Sequence, residues 1–67
     1  MNFDIRKHVI DNFRNDKEGD IKEAIENALE TQDEITLPGM GVFFEILWKN
    51  SNSEEQNNIV KSIKNGL

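Results

Sequence analysis

The chain of 67 residues has one segment dense in apolar side chains, at residues 42–50. A chain this short folds as one small domain at most, here residues 1–67, and such a domain buries only about 60% of its unfolded surface. The other apolar residues must therefore find their packing partners in this segment. Its apolar members are nearly continuous: Val42, Phe43, Phe44, Ile46, Leu47 and Trp48.

Residues 42–50 fit a helix better than a strand. In a strand, the neighbouring apolar residues at 43–44 and 46–48 would point to both faces, so strict alternation fails. Helical spacing sorts them into two faces: Phe43, Ile46 and Leu47 on one, Phe44 and Trp48 on the other. A buried strand stays open as an alternative, because periodicity does not decide short apolar runs.

Two amphipathic helices are predicted before this segment. The first covers residues 4–14, with Asp4 as its N-cap. The second covers residues 20–31, where Asp20 and Glu23 imitate a capping box. Their apolar stripes have helical spacing: Ile5, Val9, Ile10 and Phe13 in the first, and Ile21, Ala24, Ile25, Ala28 and Leu29 in the second.

A last amphipathic helix is predicted after the apolar segment. Ser53 opens it with Gln56 as the capping-box partner, and Gly66 closes it in the left-handed conformation. Pro38-Gly39 predicts a turn before the apolar segment. The apolar stripe of the last helix comprises Ile59, Val60, Ile63 and Leu67.

These elements predict an all-α fold, a small bundle of three amphipathic helices around a short apolar helix. Isolated helices under about 12–15 residues are marginal in water, so each stripe is expected to bury against the apolar helix. The alternative is an α+β fold, with two helices, a β-hairpin of strands 35–37 and 42–46, and a C-terminal helix.

Charge and composition exclude several classes of protein. Thirteen acidic and eight basic residues give a net charge of −5, which argues against binding nucleic acid through its phosphates. The chain has no cysteine, so disulfides and thiolate metal sites are excluded. Neither a signal peptide nor an apolar run of about 18 residues is recognisable, so we expect an intracellular protein with no membrane span.

The polar side chains predict no catalytic residue, no metal site and no cofactor. His8 lies on the same side of its helix as Asp4 and Asp11, but a zinc site usually needs three or four ligands including further His or Cys. Glu45 stands inside the apolar segment, and we expect it to be exposed and paired with Lys49 at i,i+4. The other carboxylates lie in loops and at helix starts.

Three aromatic residues of the apolar segment are the candidate interaction site. Phe43, Phe44 and Trp48 could stack bases, but such platforms are flanked by basic residues and only Lys49 is near. Core packing is the simpler interpretation, since large aromatics dominate small cores. A self-association or partner surface stays open, with a homo-oligomer as one outcome and the identity of a protein partner undetermined.

One run of the sequence carries a family resemblance. Its residues are Leu37, Pro38, Gly39, Gly41, Val42, Phe44, Glu45, Trp48, Lys49 and Asn50. This run resembles the motif of the minor small acid-soluble spore protein I family of endospore-forming bacteria. The resemblance implies a non-enzymatic protein made in the developing forespore and held in the spore core, with no catalytic residue to carry over.

Two alternative functions remain beside this resemblance. The order of two helices followed by residues 34–43 is similar to the opening of bacterial histone-like HU proteins, which would imply a nucleic-acid-associated module. This sequence lacks their basic arms and is acidic. The second alternative is an acidic protein–protein adaptor that uses the Phe43, Phe44 and Trp48 surface.

Overall fold

The structure is a computed structural model that describes residues 4–31 and 37–67. It contains four helices, α1 (Ile5–Phe13), α2 (Glu18–Thr31), α3 (Leu37–Lys49) and α4 (Ser53–Asn65). The predicted all-α fold is confirmed. The predicted strand at 42–46 is wrong, because these residues lie within α3, and most of the predicted strand at 35–37 falls outside the described residues.

Helix α3 begins at Leu37 and so includes Pro38-Gly39, where the sequence predicted a turn. The turn prediction is wrong. Proline fits the first turn of a helix, because the first N–H groups there have no intrahelical partner. Gly39 then brings α3 close to α1: a Cβ on Gly39 would lie 3.7 Å from Cγ2 of Val9.

The start of α1 agrees with the prediction, whereas the start of α2 does not. Asp4 is the N-cap of α1 as predicted, and its carboxylate accepts a hydrogen bond from the backbone N–H of Lys7 at 3.1 Å. Helix α2, however, begins at Glu18, so Asp20 is not its N-cap. Asp20 instead accepts from the backbone N–H of Lys17 at 3.3 Å, the role of the third helical residue in a capping box.

The capping box of α4 is real but lies one residue before the predicted one. Asn52, not Ser53, is the N-cap. Its side-chain oxygen accepts from the N–H of Glu55 at 2.8 Å, and its own N–H donates to Glu55 Oε1 at 2.9 Å. Both Asn and Ser favour this position, so the sequence pattern alone allowed either register.

The end of α4 also differs from the prediction. Gly66 has a φ of −85° and a ψ of −9°, which is right-handed rather than left-handed. Its N–H donates to the carbonyl groups of Ser62 at 3.2 Å and Ile63 at 3.1 Å. These bonds tighten the last turn and satisfy helix-terminal carbonyls without a positive φ.

The core forms where α1 and α2 pack on α3. Among the residues whose burial the structure describes, the buried apolar ones are Val9 of α1, Ala28 of α2 and Val42 of α3. Phe13 of α1 meets Phe43 of α3 edge to face, with ring centroids 5.0 Å apart and an interplanar angle of 73°. Such aromatic pairs stabilise beyond their buried area.

Helix α4 does not bury its apolar stripe in this core, which corrects the predicted bundle. No residue of α4 is buried, although Ile59 is half-buried. Side-chain hydrogen bonds fix the corner between α3 and α4. There Asn50 donates to the carbonyl of Ile46 at 2.8 Å, and the Ser51 hydroxyl donates to that of Leu47 at 2.6 Å. The side-chain amide of Gln56 donates to the carbonyl of Trp48 at 3.0 Å.

Replacing Asn52 by alanine is expected to destabilise the protein by about 1 kcal/mol, because the N–H of Glu55 loses its acceptor. The matched control is Ser53→Ala, which removes a hydroxyl one residue later and should change stability by less than about 0.5 kcal/mol. Urea unfolding followed by circular dichroism measures both. A larger loss in Ser53→Ala than in Asn52→Ala would restore the register predicted from the sequence.

Candidate interaction surface

An apolar groove opens between α1, α2 and α3. Its volume is about 580 Å³, and no residue of α4 contributes to it. Nearly all of its wall is hydrocarbon, with Arg14 as a charged residue at the lining. The lining residues are Val9, Ile10, Phe13, Arg14, Ile21, Ile25, Leu29, Met40, Phe43, Phe44, Ile46 and Leu47.

Several of the groove residues are open to solvent rather than buried. Leu29 is 61% exposed, Leu47 is 47% exposed and Phe44 is 44% exposed. Scattered exposed apolar residues are normal in proteins, but a contiguous apolar surface marks an interaction site. The groove is therefore the candidate interaction surface of the described chain.

The three aromatic residues predicted as one site take two different environments. Phe43 is half-buried against Phe13 and also lines the groove. Phe44 lies over Trp48 in a stacked arrangement, with ring centroids 5.9 Å apart and an interplanar angle of 26°. Phe44 reaches the groove as well, whereas Trp48 does not line it. Their role in association stays a prediction.

An ion pair between α1 and α3 is the main electrostatic feature near this surface. The guanidinium of Arg6 donates from Nε to Glu45 Oε2 and from Nη2 to Glu45 Oε1, each at 2.7 Å. Two parallel bonds of this kind fix the geometry as well as the charge. Glu45 thus forms its ion pair with Arg6 on another helix, where the sequence predicted Lys49 as the partner.

The ion pair shifts the pKa values of both groups. The hydrogen bond from Arg6 lowers the pKa of Glu45, against a smaller desolvation that raises it, and Lys49 lowers it further through its charge. The hydrogen bond to Glu45 likewise raises the pKa of Arg6. Sequence spacing did not reveal this partner, because helical periodicity identifies only neighbours three or four residues apart.

The predicted polar candidates do not form a recognisable catalytic or metal site in the described part of the chain. His8 Nε2 lies 3.2 Å from the side-chain amide nitrogen of Asn12. No group of three or more His, Cys, Asp or Glu side chains is placed to hold a metal ion among residues 4–31 and 37–67. Within those same residues, no helix is long and apolar enough to cross a membrane.

Comparison with known proteins places the sequence in a family. The family described as "Small, acid-soluble spore protein I" matches residues 3–67. This chain belongs to that family. The resemblance carried by residues 37–50 is thereby confirmed and extends over nearly the whole sequence.

Individual relatives in the small, acid-soluble spore protein I family agree along their full length. The Bacillus cytotoxicus protein of this name is 34% identical over 67 residues, which cover all of this chain and 96% of the relative. The Halalkalibacterium halodurans protein is also 34% identical, with 98% of the relative covered. A Bacillus cereus protein is 33% identical, with 97% covered. No solved structure matches the sequence.

The motif residues that carried the family resemblance lie together on α3 and just beyond it. These residues have different structural roles. Val42 is in the core, the Glu45 carboxylate binds Arg6, and the Trp48 carbonyl accepts from α4. Phe44 is exposed at the groove. The motif thus combines core packing, the link between helices and part of the open surface.

Replacing Glu45 by glutamine is expected to lower stability at neutral pH and low salt. The pKa of Glu45 is lower in the folded than in the unfolded chain, so its contribution is fully present above the unfolded value of about 4.3. That contribution is lost as the pH falls through the lowered pKa. The stabilities of the original protein and the variant should therefore converge in acid, and also in high salt, because the pair is exposed.

The control is Glu26→Gln, an exposed position on α2 that removes one carboxylate without touching the ion pair. Thermal unfolding at a series of pH values provides the comparison. A difference between Glu45→Gln and the original protein that persists unchanged in strong acid would contradict this role of the carboxylate.

Proposed function

We propose that this protein is a non-enzymatic small acid-soluble spore protein, made during sporulation and held in the spore core. The observation that carries the proposal is the family match over residues 3–67, together with relatives of that name that agree along their full length. The names of these relatives give an association with spores and solubility in acid, and they give no reaction.

The charge of the chain supports solubility in acid. At low pH its 13 carboxylates become neutral, while eight Lys and Arg and one His remain positive. The resulting charge of about +9, before the termini, follows from the reference pKa values of these groups. A high net charge keeps chains apart even where the fold is weakened, for instance by protonation of Glu45.

The surface of the described chain supports a role in association rather than in catalysis. The groove between α1, α2 and α3 is walled by hydrocarbon, with the charged Arg14 at its lining. Catalytic pockets instead combine an apolar wall with several converging polar groups. We infer that the protein acts by packing against another apolar surface in the spore.

The HU-like alternative loses its structural basis. The segment that would form its second strand, residues 42–46, is helical in α3. The net charge of −5 also opposes close approach to phosphates. The adaptor alternative keeps one supporting observation, the exposed apolar groove, and differs from the spore protein in when and where the chain is made.

Mass spectrometry of acid extracts tests the proposed location. Dormant spores and growing cells of the source organism are extracted in parallel, and a second batch of spores is first stripped chemically of its coat. The protein is expected in extracts of intact and of stripped spores, and not in growing cells.

Two results would overturn this proposal. Loss of the protein together with the coat would place it outside the core. Its presence at similar abundance in growing cells would remove the link to sporulation and favour the adaptor.

A further inference from the structure

We propose that two copies of this chain form a symmetric dimer in which α4 of each copy lies in the groove of the other. The inference concerns the purified protein and does not depend on where the cell keeps it. It rests on two exposed apolar surfaces that one chain does not bring together: the groove between α1, α2 and α3, and the stripe of α4.

The exposed apolar residues of α4 have the spacing found in helices that bind hydrophobic grooves. Val60 is 51% exposed, Ile63 is 47% exposed and Leu67 is 93% exposed. Their spacing at i, i+3 and i+7 places them on one face of α4 and continues past its last turn. Amphipathic helices dock into hydrophobic grooves through anchors with this spacing.

The stripe does not reach the groove of its own chain, because no residue of α4 lines that groove. The carbonyl groups of Ile46, Leu47 and Trp48 all accept hydrogen bonds from residues in or beyond the corner. The capping box of Asn52 and Glu55 then starts α4 immediately afterwards. Folding α4 back would break the hydrogen bond from Gln56 to the Trp48 carbonyl, which joins α4 to the end of α3, so a second copy is the simpler source of the occupant.

The chain exposes more surface than a compact monomer of its mass. The chain has an accessible surface of 5971 Å² for a mass of 7.8 kDa. A compact monomer of that mass exposes about 4,400 Å². The excess is about 1,600 Å² per chain, whereas a partner in a standard interface buries about 800 Å². The surplus of exposed surface is thus larger than the area that one partner contributes to a standard interface.

Symmetry gives two copies of the same contact. In a dimer with a two-fold axis, α4 of the first copy enters the second groove and α4 of the second copy enters the first. Both grooves and both stripes are then covered, and no apolar end remains to extend the assembly. Small domains with little core commonly gain their stability in this way.

Site-directed crosslinking tests the arrangement, since the chain has no native cysteine. Leu29→Cys places a thiol at the groove, and Ile63→Cys places one on the stripe. Equal amounts of the two variants, one labelled with ¹⁵N, are mixed and treated with a short bismaleimide. We expect a crosslink between Leu29→Cys and Ile63→Cys chains, identified by its mass. The control is Asn58→Cys, on the opposite face of α4, which should not crosslink to Leu29→Cys.

Sedimentation equilibrium of the full chain completes the test. The original protein should sediment as a dimer, and Ile63→Glu should raise its dissociation constant at least about 100-fold, because both contacts lose an apolar anchor. Circular dichroism verifies that the variant keeps its helices. Three results would overturn the proposal: a monomer at every concentration, a dimer crosslinked only between two Ile63→Cys chains, or a dimer crosslinked through neither position.

Discussion

The packing of α1 and α2 onto α3 is the contact on which the rest of the described structure depends. Each of these helices is too short to be stable alone in water. Their mutual burial is small, because the buried apolar residues in the described part of the chain are two valines and an alanine. The ion pair of Arg6 and Glu45 and the contact of Phe13 with Phe43 both reinforce the junction of α1 with α3.

Much of the fold could be predicted from periodicity and capping residues. The apolar segment gave α3 because its residues suit two helical faces and no strand, and Asp4 gave the start of α1. The N-cap of α4 is harder to predict, because Asn52 and Ser53 both suit that position. Pro38-Gly39 predicts a turn but lies in α3, because the residues that make turns also fit a first helical turn.

Long-range contacts account for the remaining differences. Arg6 and Glu45 are 39 positions apart, so their pairing depends on how α1 crosses α3 and not on any local pattern. At the corner after α3, Gln56 of α4 donates to the carbonyl of Trp48, a contact eight positions apart in the chain. Periodicity predicted an apolar face for α4 correctly, but it does not say which surface, or which copy of the chain, covers that face.

The described structure therefore has two parts. Helices α1 to α3 pack together, and α4 follows them with its apolar side exposed to solvent. This division gives the family motif at residues 37–50 a physical meaning, because the same helix supplies core, groove and corner. The open apolar side of α4 is the surface that we propose a partner covers. The dimer proposed above supplies one from the chain itself.

Amide hydrogen exchange of the full chain, followed residue by residue over a range of protein concentrations, tests this account most directly. Where the chain is monomeric, the amides of α4 should exchange faster than those in the middle of α3, because α4 has no buried residue. Their protection should rise toward that of α3 as dimers form. Equal protection of α3 and α4 in the monomer would contradict the account, since α4 would then belong to one cooperative core.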